Sequence, residues 1–342
     1  MSAARRRALF AIAALCVCGA FGYLAFAVLG PSEVRTAARP AGVAGKPVEP
    51  AGAELLARAV ARDDLSTAGQ VFALDGGRPR LLSGRRLDCE RVHYAAGRGL
   101  CLATGANRIS YRLTVFDSSL RPLHELPLAG LPSRARVSPD GRYGATTVFV
   151  NGHEYLSAGG FSTATTIVDL RSGESLGNLE SFAVSRDGRP IDAVDFNFWG
   201  VTFDPESSNR FYATLRTGDH YYLVEGDVRE RAMRVLRDGV ECPSLSSDGA
   251  RIAFKSRIGD EDRWRLAVLD LATLEAHLVG ERRSIDDQPE WLDDATLVYS
   301  DGLDVYTVLA DGSGGPRLVL RNASSPVSLS AGEEEPQSKP QV

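Results

Sequence analysis

Side chains able to do chemistry are scattered along this chain, and few of them fall into a catalytic spacing. The five histidines stand at 93, 124, 153, 220 and 277 without metal-ligand spacing, and they read as surface or packing residues. His153 and Glu154 are followed by Tyr155, Leu156 and Ser157, so the second histidine of a zinc-protease helix is missing. No G-x-S-x-G pentapeptide occurs, and no length remains for the α/β domain that would hold one. The Asp-Gly pairs lack calcium-loop spacing, and their aspartates read as turn formers. Trp199, Trp264 and Trp291 read as packing aromatics, with Trp199 singled out by the polar and aromatic run Asp195-Phe-Asn-Phe-Trp-Gly200 around it. No cofactor is implied.

The cysteines and the N-terminus speak for export. Residues Ala8 to Leu29 carry no charge and no proline, and roughly 20 apolar residues span a bilayer as a helix. Arg5, Arg6 and Arg7 precede that stretch and should stay in the cytoplasm, leaving the rest outside. A cleavable signal peptide is the rival reading, since Ala25-Phe26-Ala27 fits a small-x-small site. An exported body permits a disulfide, and Cys89 and Cys101 are the close pair in sequence. If a turn falls at Ala96-Gly97, the residue opposite Cys101 is near Val92, so the chain around Cys89 must fold back to reach it.

Net charge is −5, and setting aside the three N-terminal arginines leaves −8 for the remainder of the chain. An acidic body disfavours a nucleic-acid groove, which needs a basic face. With 44% hydrophobic and 24% charged residues, disorder is not the default. The expected organisation is a cytoplasmic tip at 1–7, a transmembrane helix at 8–29 and a Pro/Ala/Gly-rich linker at 30–68. Within the linker, Glu54 to Asp64 has apolar residues at helical spacing and predicts a short helix. Residues 69–330 form the body, and 331–342 an acidic disordered tail.

Beyond Gly69, short apolar and β-branched runs alternate with Gly, Asp, Ser and Pro clusters, the pattern of many antiparallel strands. Arg136-Val-Ser-Pro-Asp-Gly-Arg-Tyr143 aligns with Ser244-Leu-Ser-Ser-Asp-Gly-Ala-Arg251. Each is succeeded by a strand pattern, TTIVDLRSGESL from Thr165 and RLAVLDLATLEAHLV from Arg265. Weaker copies place the turns near 97, 140, 204, 248 and 294, with spacings of 43, 64, 44 and 46. Such periods mean stacked blades, one of them carrying an insertion. Ser185-Arg-Asp-Gly188 lies in that insertion and reads as an extra hairpin. Gln70 to Leu82 looks like an outer hairpin lacking its inner strands, which Ser325-Pro-Val-Ser-Leu-Ser330 is placed to supply. The reading is an all-β, six-bladed β-propeller closed by its two termini, which removes open sheet edges.

The SPDG and SSDG turns, the VDL and LDL strands and the blade count resemble TolB-like, WD40-like propeller repeats. NFWGVTF at Asn197, FYATL at Phe211, LVEGDV at Leu223 and ECPSLSSDGARIAFK at Glu241 resemble membrane-anchored TolB-like proteins of actinobacteria. That resemblance spans about residues 69 to 330. It implies a propeller that binds envelope proteins, with no catalytic motif to carry over. The chain departs from TolB itself in its expected anchor and in having too few residues between 31 and 68 for an N-terminal α/β domain.

The residues just ahead of each inner strand fall at one channel mouth: Glu90 and Arg91, Arg134, Asp195 with Asn197 and Trp199, Glu241, and Asp286 with Asp287. This ring of mixed charge reads as a binding funnel or a solvated rim. The expected function is a non-enzymatic, membrane-anchored scaffold for an envelope protein or cell-wall ligand. The alternatives are a metal-dependent propeller hydrolase or lyase acting through Asp195 or Asp287, and a plain spacer.

Overall fold

A computed structural model describes residues 54–60, 67–83, 85–105, 109–150, 162–259 and 262–329. The expected transmembrane segment, most of the linker and the acidic tail lie outside these residues. Among the described residues no helix is long and apolar enough to cross a membrane.

Among the described residues twenty-six strands build six sheets. Blade 1 contains β1 (Leu55–Ala59), β2 (Val71–Asp75) and β3 (Arg78–Leu81). Blade 2 is β4 (Arg91–Ala95), β5 (Arg98–Thr104), β6 (Tyr111–Asp117) and β7 (Pro122–Leu128). Blade 3 is β8 (Leu131–Val137), β9 (Tyr143–Val150), β10 (Ser162–Asp169) and β11 (Ser175–Asn178). An extra hairpin, β12 (Ala183–Arg186) and β13 (Arg189–Ile191), precedes blade 4. That blade is β14 (Asn197–Phe203), β15 (Arg210–Thr217), β16 (His220–Asp227) and β17 (Ala232–Asp238). Blade 5 is β18 (Glu241–Leu245), β19 (Arg251–Arg257), β20 (Trp264–Asp270) and β21 (Ala276–Leu278). Blade 6 is β22 (Glu290–Trp291), β23 (Thr296–Ser300), β24 (Asp304–Leu309) and β25 (Arg317–Arg321). The last strand, β26 (Ala323–Ser328), returns to blade 1, whose order is β26-β1-β2-β3. The ring is a six-bladed β-propeller.

The repeated turns explain themselves atom by atom. After β8, the Ser138 hydroxyl accepts from the backbone N–H of Tyr143 at 2.9 Å, Asp140 accepts from Arg142 at 3.0 Å, and Gly141 takes φ 65°. After β18 the same bonds recur from Arg251 to Ser246 and from Ala250 to Asp248, both at 3.0 Å, with Gly249 at φ 68°. Serine, aspartate and glycine are each required by one part of this geometry. The aspartates of the VDL and LDL runs close the next hairpin: Asp169 accepts from Arg171 and Ser172, and Asp270 from Ala272 and Thr273.

The core lies between stacked blades, where alternate side chains of each strand meet those of the next. Ile167 of blade 3 joins Phe198, Phe211 and Val224 of blade 4 in one such cluster, and Val268 of blade 5 joins Leu297 and Tyr299 of blade 6 in another. Glycines make room for rings within a blade. Gly99 sits opposite Phe116, and Gly226 opposite Phe211, where an added Cβ would fall 2.0 and 2.3 Å from the ring.

Two details differ from the sequence reading. The helix expected within Glu54 to Asp64 is replaced, over Leu55–Ala59, by strand β1. That strand lies second in its blade, so Leu55, Leu56, Ala57 and Ala59 are all buried on its two faces. A short run buried on both sides carries no two-residue alternation and imitates a helical stripe. The C-terminus therefore contributes only the innermost strand of blade 1, pairing Ser328 with Leu55 and Ala323 with Ala59. The insertion adds β12 parallel to β17, extending blade 4 to six strands.

Candidate functional site

The inner strands β26, β4, β8, β14, β18 and β22 surround the propeller axis, and a buried polar belt crosses it. Arg136 of β8 pairs with Glu290 of β22 and reaches the Ser244 hydroxyl of β18 at 3.4 Å. His93 of β4 completes the belt, with its Nε2 3.7 Å from Glu290 Oε1 and 3.2 Å from Arg136 Nη1. The His93 tautomer is set by its other nitrogen, which accepts the backbone N–H of Val137 at 3.1 Å. Nε2 must then carry the proton and points toward Glu290 from beyond hydrogen-bond distance. Glu290 is the carboxylate that compensates Arg136.

Burial, and then the Arg136 cation, hold the His93 pKa well below its usual value, so the ring is neutral. Burial also pulls Arg136 down to about 10 despite nearby acids. Above about pH 6.5 neither the folded nor the unfolded chain protonates His93. As pH falls below that, the unfolded chain takes up a proton that the folded ring refuses, and stability is lost. Urea unfolding at pH 7.5, 6.5 and 5.5 should therefore show a decline that is shallower in His93→Gln. Equal slopes in the two proteins would contradict the assignment.

The belt separates two cavities, and His93, Arg136 and Glu290 line both. On the side where the inner strands end, a cavity of about 160 Å³ is lined by residues from all six blades. Its walls include Phe203, Leu245, Trp291 and Leu292, and its polar floor is the belt. Trp291 is fixed there by its indole N–H, which donates to the Ser244 carbonyl at 2.8 Å, and Arg251 stacks over its ring at 4.9 Å. On the other side, where the inner strands begin, a cavity of about 30 Å³ lies between Arg91, Arg134, Arg136, Asp287 and Gln288.

The structure sorts the residues expected at this second mouth. Arg91, Arg134 and Asp287 line the small cavity, and Glu90 and Asp286, their neighbours in sequence, do not. Glu90 pairs with Arg58 at 3.2 Å, and Asp286 pairs with Lys255 at 2.5 Å and with Arg134 at 3.7 Å. Asp287 accepts from the N–H and hydroxyl of Ser300 at 2.9 and 2.7 Å. Three others are buried within the blades, and Asp195 sits at a hairpin end. Asp195 caps the β15–β16 hairpin through Thr217 and the Gly218 N–H, each at 2.7 Å. Asn197 is buried and accepts from the Thr163 N–H at 2.9 Å, joining blades 3 and 4. Trp199 is buried edge-on against Tyr221, with centroids 6.1 Å apart. Glu241 is buried, receiving the Trp264 indole N–H at 2.8 Å and the Arg257 guanidinium. The belt residues His93, Arg136 and Glu290 were not among the sequence candidates.

Cys89 and Cys101 form a disulfide with Cα atoms 5.3 Å apart. Val92 is the cross-strand partner of Cys101, and Cys89 is folded back by a bond from its N–H to the Gly69 carbonyl at 2.8 Å. Cys242 is free and buried. Among the described residues no group of three or more His, Cys, Asp or Glu side chains could hold a metal ion.

No protein-family model and no curated protein matches the sequence. Solved structures do match. TolB from Acinetobacter baumannii is similar over 84% of this chain and 68% of its own, with TM-score 0.56 and 17% identity. The fold is a TolB-like, six-bladed β-propeller. A chain of the nidogen/laminin complex has the same kind of likeness, with TM-score 0.53 and 10% identity over 82% of this chain and 99% of its own. A prolyl endopeptidase matches over 67% of this chain and 34% of its own at TM-score 0.41 and 14% identity, too low a score to inform function. At such identities the TolB-like propeller shares architecture with these proteins, and activity does not follow from it.

Proposed function

We propose that this chain is a membrane-tethered, extracytoplasmic binding module that holds an envelope protein or cell-wall ligand at its propeller channel. The observation that carries the reading is the cavity of about 160 Å³ into which all six blades place residues. Apolar walls over a polar, internally compensated floor suit an apolar side chain presented by a partner, the usual anatomy of a binding pocket. The disulfide supports an oxidising compartment, and the apolar segment at 8–29 supports a tether. The channel carboxylates Glu290, Asp286 and Asp287 are held by Arg136, Lys255 and Ser300.

Photo-cross-linking in intact cells tests this. Ser247 is exposed and lines the cavity, whereas Asp187 is exposed on the extra hairpin. A cross-linker at 247 should capture a discrete envelope component that the same group at 187 does not. Indistinguishable capture from both positions would reject the cavity as the binding site.

A further inference from the structure

The small cavity on the far side of the belt has a charge balance that the binding reading does not use. Its wall carries three guanidinium groups, Arg91, Arg134 and Arg136, against two carboxylates, Asp287 and Glu290. His93 adds no charge. Arg136 is matched by Glu290, and Arg134 faces Asp286 at 3.7 Å. Among the described residues Arg91 is the cation with no carboxylate within ion-pair distance, although Asp287 and Glu90 act on its charge from farther away. Its Nε donates to the Ser133 carbonyl at 2.5 Å and its Nη1 to the Glu90 carbonyl at 3.0 Å. Among the described residues no carboxylate pairs with it. Glu90 pairs with Arg58, and Asp287, which accepts from the neutral Ser300, keeps its charge.

Two further observations point the same way. Arg134 and Arg136 each leave a buried Nε–H without a hydrogen-bond partner among the described residues. Such orphaned donors are rare in finished structures and mark places where something else completes the bonding. The Arg91 pKa is lowered to about 10, first by burial and then by the repulsion of Arg134. An anion between these groups would relieve that repulsion.

We propose that this cavity is an oxyanion site, in which Arg91, with Arg134 beside it, takes a carboxylate or phosphate group entering from the mouth where the inner strands begin. Planar guanidinium groups offer paired N–H donors that match two oxygens sharing a charge. The volume fits. A water needs about 10–15 Å³ on this scale, so about 30 Å³ holds roughly two such spheres, the size of a carboxylate or the leading face of a phosphate. The site opens on the side opposite the apolar cavity and shares only the belt residues His93, Arg136 and Glu290 with it.

The test uses the full-length chain and two probes, inorganic phosphate and acetate, at ionic strength fixed with sodium chloride. The thermal midpoint should rise saturably with at least one of them. Phosphate alone would assign a phosphate site, acetate alone a carboxylate site, and both a general oxyanion site. Arg91→Gln should weaken the response at least tenfold, and Arg91→Lys should keep part of it. Should Arg91→Gln fail to fold, the Arg Nε–H resonances of the wild type supply the same answer, since one or more should shift on titration. Absence of a saturable response to both probes, or equal responses in wild type and the Arg91 variants, would overturn the proposal.

Discussion

Replacing Glu290 by glutamine should lower the free energy of unfolding by about 3–5 kcal/mol, the usual cost of leaving a buried ion without its partner. Arg136 and Glu290 are both sheltered, with side chains 8% and 16% exposed, so water cannot substitute for the lost carboxylate. The cost falls on Arg136, whose cation burial already disfavours. Adding Arg136→Met to Glu290→Gln should recover at least half of the loss. The buried charge is then gone. Chemical denaturation of the two variants and the wild type reads this directly. A double variant as unstable as the single one would show that the belt's stability does not depend on charge compensation.

Removing the disulfide should be nearly as damaging. Cys89 and Cys101 close a loop with a sequence separation of 12, for which chain-entropy reasoning gives about 2–4 kcal/mol. The bond also anchors the connector between blades 1 and 2. Cys89 lies in the cluster that joins Leu56 and Val71 of blade 1 to Val92 and Phe116 of blade 2. The double variant Cys89→Ala, Cys101→Ala should melt well below the wild type. Dithiothreitol should lower the wild-type midpoint toward that of the variant and leave the variant unmoved. A wild-type midpoint indifferent to the reductant would contradict this role.

How much could be read from residues differs between fold and site. The SPDG and SSDG turns were legible because each residue type answers a local demand that no distant contact alters. Ring closure was legible because Ser325-Pro326 repeats Cys242-Pro243, and both first residues take positive φ, 53° and 50°. Strand β1 was not, because burial on both faces erases the alternation that identifies a strand. Asp195, Asn197, Trp199 and Glu241 were placed by their position ahead of an inner strand. Position alone does not tell whether such a side chain faces the axis or its own blade. The belt was hidden for the opposite reason: Arg136 and Glu290 are 154 residues apart and meet only when the ring closes. One signal was present. Arg136, Ser244 and Glu290 are each the next-to-last residue of their inner strand, so stacking the repeats brings them to one level.

The apolar cavity on the turn side is the centre of the functional reading, and filling it is the most direct measurement. With the component captured from position 247, affinity should be compared for the wild type and Ser247→Trp, together with their thermal midpoints. A fall of at least tenfold in affinity, with the midpoint unchanged, is the expected result. Equal affinity in the two proteins would show that the partner binds elsewhere, and the channel-mouth reading would be wrong.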